Sequence, residues 1–153
     1  MELINFLTLF EERVPVGMIL ANPRKGTSKF LGFAHKNFLD LERRKAIYQR
    51  RESPIRVQMS ALHKAYQYFL DKKVSSNDLK LYDPATFMTH GCNCTWLFMI
   101  LKEMGKVHEI NGQGTSGDPF WVNILPEERF LAIFRILYEL SKNLNIRLLF
   151  VLL

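Results

Sequence analysis

The chain has 153 residues, enough for one cored domain with additions and short for two. Its composition, 48% hydrophobic and 24% charged, is that of a globular protein and excludes a disordered one. The net charge is +6, and two cysteines one residue apart cannot build a disulfide framework, which fits a reducing cytoplasm.

The excess charge is local. Residues 24–56 hold ten Lys/Arg against three acids, whereas residues 1–23 and 57–153 nearly balance. A localised basic segment is the electrostatic footprint of a polyanion binder, and also an ordinary solubilising surface.

In chain order, residues 2–13 read as a helix with a wide apolar face of Leu3, Ile4, Phe6, Leu7, Leu9 and Phe10. Glu2 and the lack of a basic leader speak against a signal peptide. Residues 14–17 end that helix, and residues 18–21 suit a short strand. Residues 22–28 form a turn-rich loop whose Gly-Thr-Ser lacks the Walker pattern. Residues 29–35 predict a strand with Leu31, Phe33 and His35 on one face. Residues 45–51 and 55–59 predict two more around Ser53-Pro54, with Ile55, Val57 and Met59 opposed to Arg56 and Gln58. Such a ribbon presents bases on its open face, and Arg43, Arg44, Lys45, Arg50, Arg51 and Arg56 are its candidates for phosphate contact.

Ser60 suits an N-cap for a helix whose stripe is Ala61, Leu62, Ala65, Tyr66, Phe69 and Leu70. A break at residues 73–76 leads to a short helix over 77–82, capped by Ser75 or Ser76. Asp83-Pro84 then starts a further turn. The helix opening at Cys92-Asn93-Cys94 runs to Met104, stops at Gly105, and is apolar on nearly every side. That makes it core rather than a groove reader, with its N-terminus open to a phosphate. Asn93 or a neighbour is expected to cap it, with at least one thiol buried. Residues 107–110 and 120–124 predict a hairpin. Its loop holds a GxGxxG at Gly112, Gly114 and Gly117 that leads into a strand, so the dinucleotide context is missing. Pro126, Glu127 and Glu128 open a last helix with an inward stripe including Phe130, Ile133, Phe134, Leu137 and Leu144. The apolar tail from Ile146 to Leu153 must be buried in the domain or against a partner, including a second copy. Arg135, Glu139, Lys142 and Arg147 interrupt residues 130–153, so no membrane span is expected.

Three constellations bear on chemistry. His90, Cys92 and Cys94 have thiol and imidazole ligands, but His108 lies a helix of about 15 Å away, short of usual zinc spacings. A Cys–His nucleophile at the same turn lacks an orienting acid. Asp40 and Glu42 beside Arg43, Arg44 and Lys45 would suit metal-dependent phosphodiester cleavage, and Glu139 and Lys142 are a looser pair; neither has a recognisable motif around it, and surface ion pairing is the commoner explanation. No catalytic residue, metal or cofactor is assigned.

The order of elements over residues 60–124 resembles the winged-helix superfamily, which implies nucleic-acid binding or protein docking. The run from His90 to Met99 also looks like a segment of uncharacterised bacterial proteins, some associated with mobile or restriction–modification loci. The expected fold class is α+β: one domain with a winged-helix-like core, preceded by a helix and a basic antiparallel β ribbon. Residues 1–59, 60–124 and 125–153 are its three segments. The expected function is nucleic-acid binding, DNA foremost, mainly through the phosphate backbone, in the cytoplasm. The alternatives are a protein-interaction subunit docking through its C-terminal tail and a metal-dependent nuclease.

Overall fold

Helix α1 (Leu3–Arg13) buries Phe6, Leu7 and Phe10, spaced to share one side of a helix, and leaves Glu11 and Glu12 in water. The chain leaves it through Val14 and Pro15, where a helix cannot continue. This computed structural model describes residues 1–34 and 40–127. Strands β1 (Ile19–Ala21), β2 (Thr27–Ala34), β3 (Lys45–Gln49) and β4 (Pro54–Gln58) form an antiparallel sheet in chain order. The loop between β1 and β2 is a closed turn. Its Gly26 has φ +79°, the Asn22 amide donates to the Gly26 carbonyl, and the Ser28 hydroxyl donates to Asn22 Oδ1 at 2.6 Å.

The expected alternation in β2 needs correcting. A bulge between Phe30 and Gly32 inserts Leu31 as an extra residue. Phe30 therefore lies opposite Tyr48 and Phe33 opposite Ala46, and both rings turn inward, while Leu31 is exposed. Leu31 and Phe33 do not share a face, and His35 falls outside the described residues. Gly32, with φ +124°, supplies the backbone conformation at the bulge.

Helix α2 (Met59–Tyr68) follows β4 directly and packs its Tyr66 and His63 rings against Phe6, at 5.7 and 5.3 Å between centroids. It begins one residue before the expected cap, and Ser60 instead donates its hydroxyl to the Glu42 carbonyl at 3.2 Å. Strand β5 (Lys73–Ser75), helix α3 (Ser76–Tyr82) and the single turn α4 (Pro84–Phe87) come next. Ser75 and Asp78 form a reciprocal capping box on α3, and Asp83 caps α4 through the Thr86 amide, as the sequence signals require.

The expected hairpin of residues 107–110 with 120–124 is not what forms. Strand β6 (Trp121–Asn123) pairs with β5, and on its other side a single bridge joins Trp121 to Asn111. The loop geometry explains the difference. A Cβ on Gly112 would lie 2.2 Å from the Pro119 carbonyl oxygen, and one on Gly114 2.3 Å from the Phe120 ring, so the chain folds tightly on itself. Ladder pairing stops at that knot.

Helix α5 (Cys92–Glu103) is the centre of the molecule, buried from Asn93 through Leu101. Its surroundings belong to one core that runs from Phe6 to Ile124 and draws on both sheets and on α1 to α5. The fold is thus α+β, a single small domain in which an antiparallel sheet and helices enclose one long apolar helix. No helix among the described residues is long and apolar enough to cross a membrane.

Candidate nucleic-acid interface

Strand parity divides the basic candidates. On β3, Ala46 and Tyr48 are buried, whereas Lys45, Ile47 and Gln49 face the other way. Arg44 and Arg50 share the parity of Ala46 and Tyr48, and each turns inward at one end of the strand.

Arg44 is 4% exposed, donates from Nη1 to Glu11 Oε1 at 2.5 Å, and places its guanidinium 5.4 Å from the centroid of Phe33. This corrects its expected role as a phosphate contact. An arginine this buried, engaged by a carboxylate at the rim and by a ring, offers little surface to a polyanion. It ties α1 to the sheet.

Arg50 is half-buried and donates from Nη1 to Thr95 Oγ1 at 2.8 Å, and that hydroxyl donates in turn to the Cys92 carbonyl at 3.0 Å. The turn between β3 and β4 is thereby fastened to the first turn of α5. An open cleft of about 1130 Å³ lies there, lined by Gln49, Arg50, Arg51, Glu52, Ser53, Ile55 and Cys92. Arg51, at the tip of the turn, is exposed.

The outward face of the sheet is built from the opposite parity. Lys45 lies across from Gln58, Ile47 from Arg56, and Gln49 from Pro54 on one side and Lys29 on the other. Arg56 and Lys29 are exposed, and Lys45 is half-buried with its stem along the sheet. Two residues along and one strand across put the Lys45 and Arg56 backbones roughly 8 Å apart; Lys29, on the far side of β3, is roughly 12 Å from Arg56. None of the four strands contains an Asp or Glu. Lys29 was not among the expected contacts, although its alternation with buried Ser28 and Phe30 was readable.

Arg43 stands apart, on the 3-10 turn Leu41–Arg43, 80% exposed and 3.1 Å from Asp40. Glu42 on the same turn lies 3.6 Å from Lys64. The two acids considered for metal binding are therefore each paired with a surface base. No group of three or more His, Cys, Asp and Glu among the described residues could hold a metal.

The turn into α5 is structural, by a route different from the expected one. Asn93 does not cap the helix. Its buried amide accepts from the Tyr48 hydroxyl at 2.7 Å and donates to the Thr86 carbonyl at 2.7 Å. The Tyr48 ring lies flat on Trp96, 4.2 Å between centroids and 3° from parallel. Burial pushes the Tyr48 hydroxyl well above its ordinary range, so it stays a neutral donor. Cys94 is 1% exposed, its thiol 3.6 Å from the Ser76 carbonyl, and burial raises its pKa to about 11. Cys92 is half-buried, with Sγ 3.3 Å from the Tyr48 oxygen, and His90 and His108 are both exposed.

The Gly-rich loop makes no phosphate cradle. The amides of Gln113 and Thr115 both donate to the Asp118 carbonyl, and Gln113 also to its carboxylate. Three of the loop's amides are thus turned onto the loop itself, and residues 111–119 contain no Lys or Arg. The expected C-terminal helix beyond Glu127 and the tail from Ile146 to Leu153 lie outside the described residues. Comparison with known proteins finds no matching family model, no matching curated protein and no matching solved structure.

Proposed function

We propose that this protein binds nucleic acid, DNA foremost, through the outward face of its four-stranded sheet and the adjoining turn. One observation carries the reading: Lys29, Lys45 and Arg56 share an open face whose four strands hold no acid, with Arg51 exposed at its end. Contacts of this kind go to phosphates, so they position the protein without reading sequence. Arg43 adds to the rim, Arg50 orients the turn from within, and Arg44 belongs to the core. The order α2, β5, α3, α5, β6 supports a winged-helix-like scaffold behind that face. In this reading the helix at the third position is a structural post, since its middle is enclosed. Cytoplasmic residence goes with it, as Cys92 and Cys94 are both free thiols.

A fluorescence-anisotropy titration with labelled DNA tests the reading. If about four phosphates are neutralised, raising salt from about 50 to about 200 mM weakens binding roughly 100-fold. Replacing Lys45 and Arg56 together by Glu abolishes it at low salt while the fold persists. No binding at low salt, or binding indifferent to that double charge reversal, overturns the proposal.

A nuclease reading gains nothing from Asp40 and Glu42, which are engaged in surface ion pairs. The docking role considered for the tail from Ile146 to Leu153 rests on residues outside those described.

A further inference from the structure

The outward sheet face is specific in what it lacks. Every aromatic residue of the four strands, Phe30, Phe33 and Tyr48, lies on the inner side, where Phe30 and Phe33 pack edge-on at 5.2 Å and Tyr48 stacks on Trp96. Outside are Lys29, Lys45 and Arg56, the amides of Gln49 and Gln58, and the aliphatic Ile19, Leu31 and Ile47. Proteins that hold single strands draw much of their affinity from bases stacked on exposed rings. Among the described residues of the four strands, this face has no ring to stack on.

Its width points the same way. Four strands span roughly 14 Å between the outer two, wider than the major groove at about 12 Å and far wider than the minor groove at about 6 Å. The sheet therefore cannot enter a groove and can only lie across one. Lys29 and Arg56, on either side of β3, are then spaced to reach phosphates on the two sides of a groove. Among the described residues, two other elements that could read a groove do not. Helix α5 is buried from Asn93 to Leu101, and the loop over residues 111–119 carries no base.

We infer that the ligand of this face is double-stranded, held across a groove by phosphates of both strands, with single strands bound much more weakly and with no sequence preference. The inference rests on the proposed function and sharpens it.

The experiment measures anisotropy with one labelled duplex, a second duplex of scrambled sequence and each separated strand, at equal length and low salt. The expected result is duplex binding at least about tenfold tighter than binding of any single strand, and two duplexes equal within about threefold. Lys29→Glu and Arg56→Glu each lower duplex affinity about tenfold or more, and by more than they lower the affinity for single strands. Single strands bound as tightly as duplex, or a single charge reversal that weakens both alike, overturns the inference and leaves nucleic-acid binding standing. Binding of neither form removes the proposed function itself and the inference with it. Circular dichroism of each variant confirms that the chain is folded.

Discussion

The two faces of the four-stranded sheet are made by the same strands, yet they carry opposite chemistry. The inner face is aromatic and closed: Phe30, Phe33 and Tyr48 meet Phe10 and Trp96, and even its arginines end on Glu11 and Thr95. The outer face is basic, aliphatic and open. Basic residues fall on both faces, so a positive charge count does not locate a binding surface. Parity along the strand decides which bases hold the domain together and which are left open to solvent.

Substitutions on the two faces should therefore separate stability from binding. The largest effect is expected at Trp96, fully buried and sandwiched against Tyr48. Trp96→Ala should cost about 3–5 kcal/mol in urea unfolding, while residual folded protein keeps the proposed affinity for DNA. A loss below about 1 kcal/mol would mean that the stacked pair is not central to the core.

The next effect is one of pH. The Cys94 thiol has an ordinary value near 9.0 and is raised to about 11 in the folded protein. A group that holds its proton more tightly when folded contributes stability that is complete below about pH 9 and is lost as pH rises toward 11. The contribution is about 2–3 kcal/mol. Cys94→Ala should remove that part of the alkaline decline, measured as urea midpoints at pH 8 and pH 10.5 (both about 25 °C). Tyr48, raised by burial, and Tyr66, raised to about 12 by burial and by Glu127, retain the remainder. An unchanged alkaline slope in the variant would show that the thiol is not shielded from water.

Arg44→Met tests the inward arginine. It removes a charge-assisted hydrogen bond but leaves Glu11 half in water, so the expected cost is about 1.5–3 kcal/mol, with DNA binding unchanged. Reduced affinity in a stable Arg44→Met protein would place Arg44 with the outward set after all. The smallest effect on stability is expected on the outer face. Arg56→Gln should shift unfolding by no more than about 0.5 kcal/mol and show itself only in binding.

Much of the architecture was legible because it is local. The caps at Ser75 and Asp83, the stop at Gly105 and the apolar surround of α5 each state their structure within a few residues. The α+β class follows from those periods. What the sequence concealed is set by partners far away. The bulge at Leu31 depends on the register of β3, since β2 alone alternates well enough either way. The pairing of β6 with β5 on one edge, and its reduction to a single bridge at Asn111 on the other, are set by segments far apart in the sequence. Arg44 stood in a row of three bases, and the clue to its burial was its parity with Ala46 and Tyr48 rather than its charge. The outer face was half read: Lys45 and Arg56 are there, Lys29 was overlooked, and Arg50 acts from behind.

The pairing of β5 with β6 has a consequence for how the chain acquires its shape. The four-stranded sheet consists of neighbours in sequence, each added strand closing a short segment. By contrast, Val74 meets Val122 across about fifty residues that include α3, α4 and α5. Closing so long a segment is entropically slow, so this pairing belongs late on the folding route, after the local sheet and the helices have gathered. Weakening it should leave the folding rate nearly untouched and hasten unfolding. In stopped-flow chevrons Val122→Ala should raise the unfolding arm alone, whereas Val57→Ala, in the local sheet, should also lower the folding arm. The segment that joins last is then also the first to part, and the life of the folded molecule is set at its short two-stranded sheet rather than at its large one.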